Sequence, residues 1–188
     1  MSGMHNVVHA IAENWPVWLL STVLVVAAVI DGWKLKVPNW ITFPLIISGW
    51  IYSTIYFGWP GLAWSLAGTL VGLGLLAPAY AIGGMGAGDV KLLGGVGAWM
   101  WATTTLYAFC TCAIVGGIIA VAMIVLRGNW RHHVQQFCTI FNEITTIRDP
   151  NALAAIAAER KSTMTLLPYG IPITLGTIAY FVWSGMLM

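Results

Sequence analysis

The chain has 188 residues and carries eight Lys or Arg against six Asp or Glu, a formal net charge of +2. Only 7% of it is charged and 59% is hydrophobic, with a mean hydropathy of +0.84, whereas soluble domains carry about 25% charged residues. That balance excludes a soluble globular enzyme, a disordered chain and a nucleic-acid-binding protein, and a net charge so small does not point to anionic partners.

Residues 14–30, 37–88, 92–126 and 162–188 contain no Asp, Glu, Lys or Arg. A membrane-crossing helix needs roughly 20 apolar residues. The four runs therefore predict an all-α polytopic membrane protein of about six spans, with residues 1–188 forming one domain. No Lys or Arg precedes the first apolar stretch, so it reads as a retained span and not as a cleavable signal peptide. His5 and His9 stand at i, i+4, but no H-E-x-x-H pattern accompanies them, and no metal site is predicted.

In chain order, span 1 is expected at about 15–31, span 2 at 40–57 and span 3 at 62–83. Gly58-Trp59-Pro60-Gly61 is a breaker cluster that turns the chain between spans 2 and 3. Spans 4 and 5 follow at about 90–104 and 105–126, the first short or tilted with Trp99 and Trp101 near an interface. Cys110 and Cys112 fall in this apolar run and read as small buried residues; Cys138 completes the three, and no C-x-x-C pair exists. In the polar stretch 127–165, Trp130, Val134, Phe137, Phe141 and Ile144 recur at helical spacing. That pattern predicts an amphipathic helix at the membrane surface. Asp149-Pro150 then opens a second, Ala-rich helix, and span 6 covers 166–187.

On this layout Lys34, Lys36, Lys91, Arg127, Arg131, Arg148, Arg160 and Lys161 all fall on one side of the membrane. The positive-inside rule makes that side cytoplasmic and places both termini outside.

Two acids sit within the apolar body. Asp31 closes span 1, and Asp89 follows span 3; both are expected at the cytoplasmic edge. A carboxylate at membrane depth is costly and is either functional or paired. Pairing with Lys34 and Lys91 is one reading. The other is a dyad: two carboxylates held close share one proton, so that one activates water while the other polarises a carbonyl. Residues 83–97 hold seven glycines, from Gly83 to Gly97. They suit a sharp turn with room for a substrate backbone, or close helix packing of the kind expected at Gly68-x-x-x-Gly72.

Gly86-Ala87-Gly88-Asp89 resembles the G-x-G-D motif of membrane aspartic proteases, and the longer run through Lys91-Leu92 resembles the type IV prepilin peptidase family. Asp31 followed by a basic stretch and Val37-Pro38-Asn39, and later Pro168-Tyr169-Gly170, resemble that family's other motifs. The resemblance implies an aspartic endopeptidase of the inner (cytoplasmic) membrane that needs no cofactor. It implies Asp31 and Asp89 as catalytic residues, with Gly86, Gly88, Lys91, Pro38, Asn39, Pro168, Tyr169 and Gly170 shaping the site or holding substrate. The implied partners are prepilins and pseudopilins, besides membrane lipid and to the exclusion of nucleic acid. The oligomeric state stays open. With no C-x-x-C, the chain resembles the short, peptidase-only form of tight-adherence (Flp) pilus systems, without N-methyltransferase activity. An archaeal-type preflagellin peptidase shares the dyad, and a transporter or pilus-assembly scaffold is the alternative of another class.

Overall fold

The computed structural model describes residues 14–81, 84–127, 139 and 168–187. Among these residues the helices are α1 (Trp15–Lys34), α2 (Asn39–Ala81), α3 (Ala87–Arg127) and α4 (Gly170–Trp183). Among the described residues no strand occurs, so the fold is all-α. Helices α1, α2 and α3 are long and apolar enough to cross a membrane, while α4 is a shorter apolar helix. Apart from Arg127 and Thr139, the predicted surface segment at 127–165 lies outside the described residues. So do His5, His9, Cys138 and Gly83.

Helix α1 has Pro16 in its first turn and Lys34 in its last, matching a missing donor to the N-terminus and a cation to the C-terminal end of the dipole. Its buried residues are Val17, Leu20, Ser21, Leu24, Ala27 and Asp31. That spacing is a single helical stripe, and Asp31 continues it. The carboxylate therefore points into the bundle because of its register. Leu35 then takes a left-handed conformation (φ 50°), and its N–H bonds the Asp31 carbonyl at 2.7 Å, ending the helix in an αL cap.

Helices α2 and α3 each contain a reversal. In α2 it falls at Gly58 (φ 64°, ψ −154°), a conformation open essentially to glycine alone, with Pro60 starting the return arm. Trp50 Nε1 donates to Thr69 Oγ1 at 3.0 Å across nineteen residues, which in a straight helix would lie about 28 Å apart. In α3 the break is at Trp101 (φ 63°, ψ 179°), earlier than the 104–105 boundary expected from sequence. Beyond it, Tyr107 stacks on Tyr180, Thr111 donates to the Gly176 carbonyl and Gly116 abuts Pro172. This arm thus runs antiparallel to α4.

The arms are held together by backbone approach. A Cβ at Gly68 or at Gly97 would collide with the other residue's backbone, and one at Gly72 would collide with Leu93. Small residues permit this distance. The same contacts answer part of the glycine question. Gly94 and Gly95, facing Leu73 and Leu45, likewise leave no room for a side chain. These glycines pack helices and do not open a loop.

Helix α4 begins at Gly170, not at 166 as expected: Pro168 lies outside the helix and Tyr169 is its N-cap, while residues 184–187 form a closing turn at the other end. Thr174 Oγ1 donates to the Leu24 carbonyl at 2.9 Å and fixes α4 against α1. Leu20, Leu24, Leu92, Leu93, Val96 and Phe181 are fully buried at the centre. Cys112 is buried as expected, but Cys110 is exposed on the opposite face of α3.

Candidate active site

Asp31 and Asp89 are 2% and 6% exposed. Asp31 Oδ2 accepts the N–H of Gly170 at 2.8 Å. Gly170 is the first residue of α4, so this amide is one of the donors that a helix start leaves without an internal partner. Asp89 is the third residue of α3, not part of a loop after the preceding helix. Its Oδ2 accepts the Gly86 N–H at 3.2 Å, which is the side-chain half of a capping box. Asp89 thus sits at the N-terminal end of its own helix, and the Asp31 carboxylate, carried on the last turn of α1, faces the N-terminal end of α4, where the dipole favours negative charge.

At the start of α4 the Gly170 amide holds Asp31, and the preceding Tyr169 is half-buried; burial first, and the Asp89 charge second, push its phenol above the ordinary range. A Cβ on Gly170 would stand 2.9 Å from Asp31 Oδ2, so the absence of a side chain lets α4 approach the carboxylate. Pro168 contributes its carbonyl to the Ile171 N–H at 3.2 Å, forming the turn that starts α4.

The segment after α1 locks against the start of α3. A Cβ at Gly88 would lie 2.5 Å from the Val37 carbonyl oxygen. Lys91 Nζ donates to Asn39 Oδ1 at 3.0 Å and lies 4.6 Å above the Phe43 ring, a cation–π position. Pro38 offers its carbonyl to the Ile41 and Thr42 N–H groups and so starts α2. Lys34 is exposed, whereas Asp31 is turned inward to Gly170. Gly88 lies in the first turn of α3, in this close contact with Val37.

The sequence reading missed an apolar cleft of about 350 Å³ beside Tyr169, bounded by α2, both arms of α3 and α4, with Met85, Leu93, Phe109 and Cys112 among its walls. A signal existed: Ala113, Gly116, Gly117 and Ala120 place small residues on one helical face. Among the described residues no three His, Cys, Asp or Glu side chains gather as a metal site would require.

The sequence profile of the type IV leader peptidase family matches residues 18–121. The chain belongs to that family. Both aspartates fall within the match. Among curated proteins, the prepilin leader peptidase/N-methyltransferase of Aeromonas salmonicida is 31% identical over 118 residues, covering 59% of this chain and 40% of the relative. Its Aeromonas hydrophila namesake is 30% identical over the same length and coverage. The aligned region thus spans well under half of these relatives. No solved structure matches the chain. A member of the leader peptidase family with three helices of this length and apolarity is a membrane protein.

Proposed function

We propose that the chain is an aspartic endopeptidase that removes the leader peptides of prepilins or pseudopilins at the cytoplasmic face of the inner membrane. The observation that carries this reading is a pair of buried carboxylates, each oriented by a backbone amide at a helix start. Family membership supports the substrate class. The reading is confined to the peptidase half of the relatives' double name; the 188 residues contain no C-x-x-C pair.

In the proposed mechanism the dyad holds one proton, since two neighbouring buried carboxylates do not both ionise cheaply. The ionised member takes a proton from water as the water oxygen attacks the scissile carbonyl carbon. The protonated member gives its proton to the carbonyl oxygen. The tetrahedral intermediate then collapses, the C–N bond breaks, and the leaving nitrogen receives a proton from the dyad. The Gly170 and Gly86 amides keep the two carboxylates aimed throughout.

The proposed membrane layout treats the two arms of α2 and of α3 as separate crossings, six in all with α1 and α4. Lys34, Lys36 and Lys91 then share the aspartates' side of the bilayer, in keeping with the positive-inside rule. A leader that stays cytoplasmic, followed by an apolar segment held in the bilayer, would bring its scissile bond to that edge.

The test is co-expression with a prepilin, followed by the size of the prepilin in membranes. Asp31→Asn and Asp89→Asn should each slow cleavage by at least about 100-fold while the protein still accumulates in membranes. Normal processing by either variant would sink the dyad.

A further inference from the structure

Each aspartate is aimed by a backbone amide, but neither bond ties one carboxylate to the other. The Asp89 bond to Gly86 stays at the start of α3, and the Asp31 bond runs to α4. Asp89 is the third residue of its helix, and helix ends fray. Something has to hold that first turn in place beside Asp31.

The chain that leaves Asp31 is well fastened. The Leu35 N–H bonds the Asp31 carbonyl at 2.7 Å, Val37 is buried, and the Pro38 carbonyl accepts the Ile41 N–H at 3.1 Å. This segment touches the first turn of α3 on both sides of Asp89. Immediately before Asp89, the Val37 carbonyl oxygen packs so closely that a Cβ on Gly88 would lie 2.5 Å from it. Two residues after it, Lys91 Nζ donates to Asn39 Oδ1 at 3.0 Å and stands 4.6 Å from the centre of the Phe43 ring. Asn39 and Phe43 are at i, i+4 on the first turn of α2, so they present one face to the ammonium. Lys91 and Asp89 are at i, i+2 and leave α3 on different faces, which is why the lysine reaches across to α2.

We propose that Lys91 is a positioning residue: through Asn39 and Phe43 it straps the first turn of α3 to the segment after Asp31 and so sets the separation of the two carboxylates. The proposal rests on the dyad reading above. Lys91 acts through the helix turn that it holds, and not through its charge on the dyad. The separation has a measurable signature. Repulsion between two carboxylates falls with distance, so the closer they stand, the further apart their two ionisations lie.

The test is the pH dependence of prepilin cleavage by the full-length protein in detergent micelles, for wild type, Lys91→Met and Asn39→Leu. The wild-type rate should follow a bell with two limbs set by the pair. The other ionisable groups that the surrounding elements carry at this end are Lys34 on α1, Tyr80 on α2, Lys91 on α3 and Tyr169 ahead of α4; none is a carboxyl or imidazole. In both variants the limbs should draw together by about 0.5 pH unit or more. The kcat should fall about ten-fold with KM kept within about two-fold. Asn39→Leu keeps the Lys91 cation, so a narrowing common to both variants reports the strap. Both limbs moving up together in Lys91→Met alone would mean that the charge tunes the dyad, and would overturn the proposal. A profile that keeps its shape, lowered or not, would overturn it too; if one variant fails to accumulate, the other decides. Asp31→Asn, run in parallel, separates the two readings. If it is inactive while the limbs of the other variants stay put, the strap alone falls. If it cleaves normally, the catalytic reading falls and the strap with it.

Discussion

Gly170 does two things at one atom's distance from Asp31. Its amide holds the carboxylate, and its missing side chain lets α4 come close enough to do so. Gly170→Ala would drive a methyl group into Asp31 Oδ2 and Cβ, at 2.9 and 3.0 Å, so the carboxylate has to swing away. The expected cost is about 1–3 kcal/mol of stability, and leader cleavage should fall by about ten-fold or more because misplacing a reacting group is expensive. Wild-type cleavage rates in this variant would show that the Gly170 contact does not position Asp31. The aspartates themselves were conspicuous in the sequence, since a chain this poor in charge makes any acid inside an apolar run stand out. Gly170 was visible only as part of a Pro-Tyr-Gly segment. Its bond to Asp31 spans 139 residues, and no local pattern announces a contact of that range.

Among the elements, the two reversals differ in how they are written. Gly58 sits in a Gly-Trp-Pro-Gly cluster and takes a conformation that suits glycine, so the turn was legible. Trp101 takes a positive φ without being glycine. Hydropathy is blind to that, which is why the expected boundary fell three or four residues late. Trp101 is held there by its neighbours: its backbone backs onto Gly68, its ring meets Phe57 at 5.2 Å and its carbonyl accepts Thr105 Oγ1 at 2.6 Å. Gly58→Ala has no such compensation. It should cost about 1–3 kcal/mol, seen as a lower thermal midpoint in detergent micelles; an unchanged midpoint would mean that the backbone at 58 relaxes without strain. The glycines at 88–97 illustrate a different limit of sequence reading. Their density pointed equally to an open turn and to close packing, and only the partners across the bundle decide for packing.

For the whole molecule, the basic residues and the aspartates share one end in the proposed layout, and labelling checks this directly. Cysteines introduced at Lys36, Trp59 and Trp183, all exposed positions, should react with a membrane-impermeant thiol reagent from opposite sides. Lys36→Cys should react only from inside, Trp59→Cys and Trp183→Cys only from outside; Lys36→Cys and Trp59→Cys reacting from the same side would refute the crossing of the first arm of α2. The length of α4 then has a consequence for the bilayer. Fourteen residues make a rod of about 21 Å, against a hydrocarbon core of about 30 Å. A crossing built on so short a rod leaves a mismatch of about 9 Å, and the shortfall falls at the end where Gly170 meets Asp31 if Trp183 is anchored at the far headgroups. In the proposed layout lipid there would dimple inward toward the start of α4. Such a dent would thin the membrane over the two carboxylates, admitting water to hydrolyse a bond whose flanking helix never leaves the lipid.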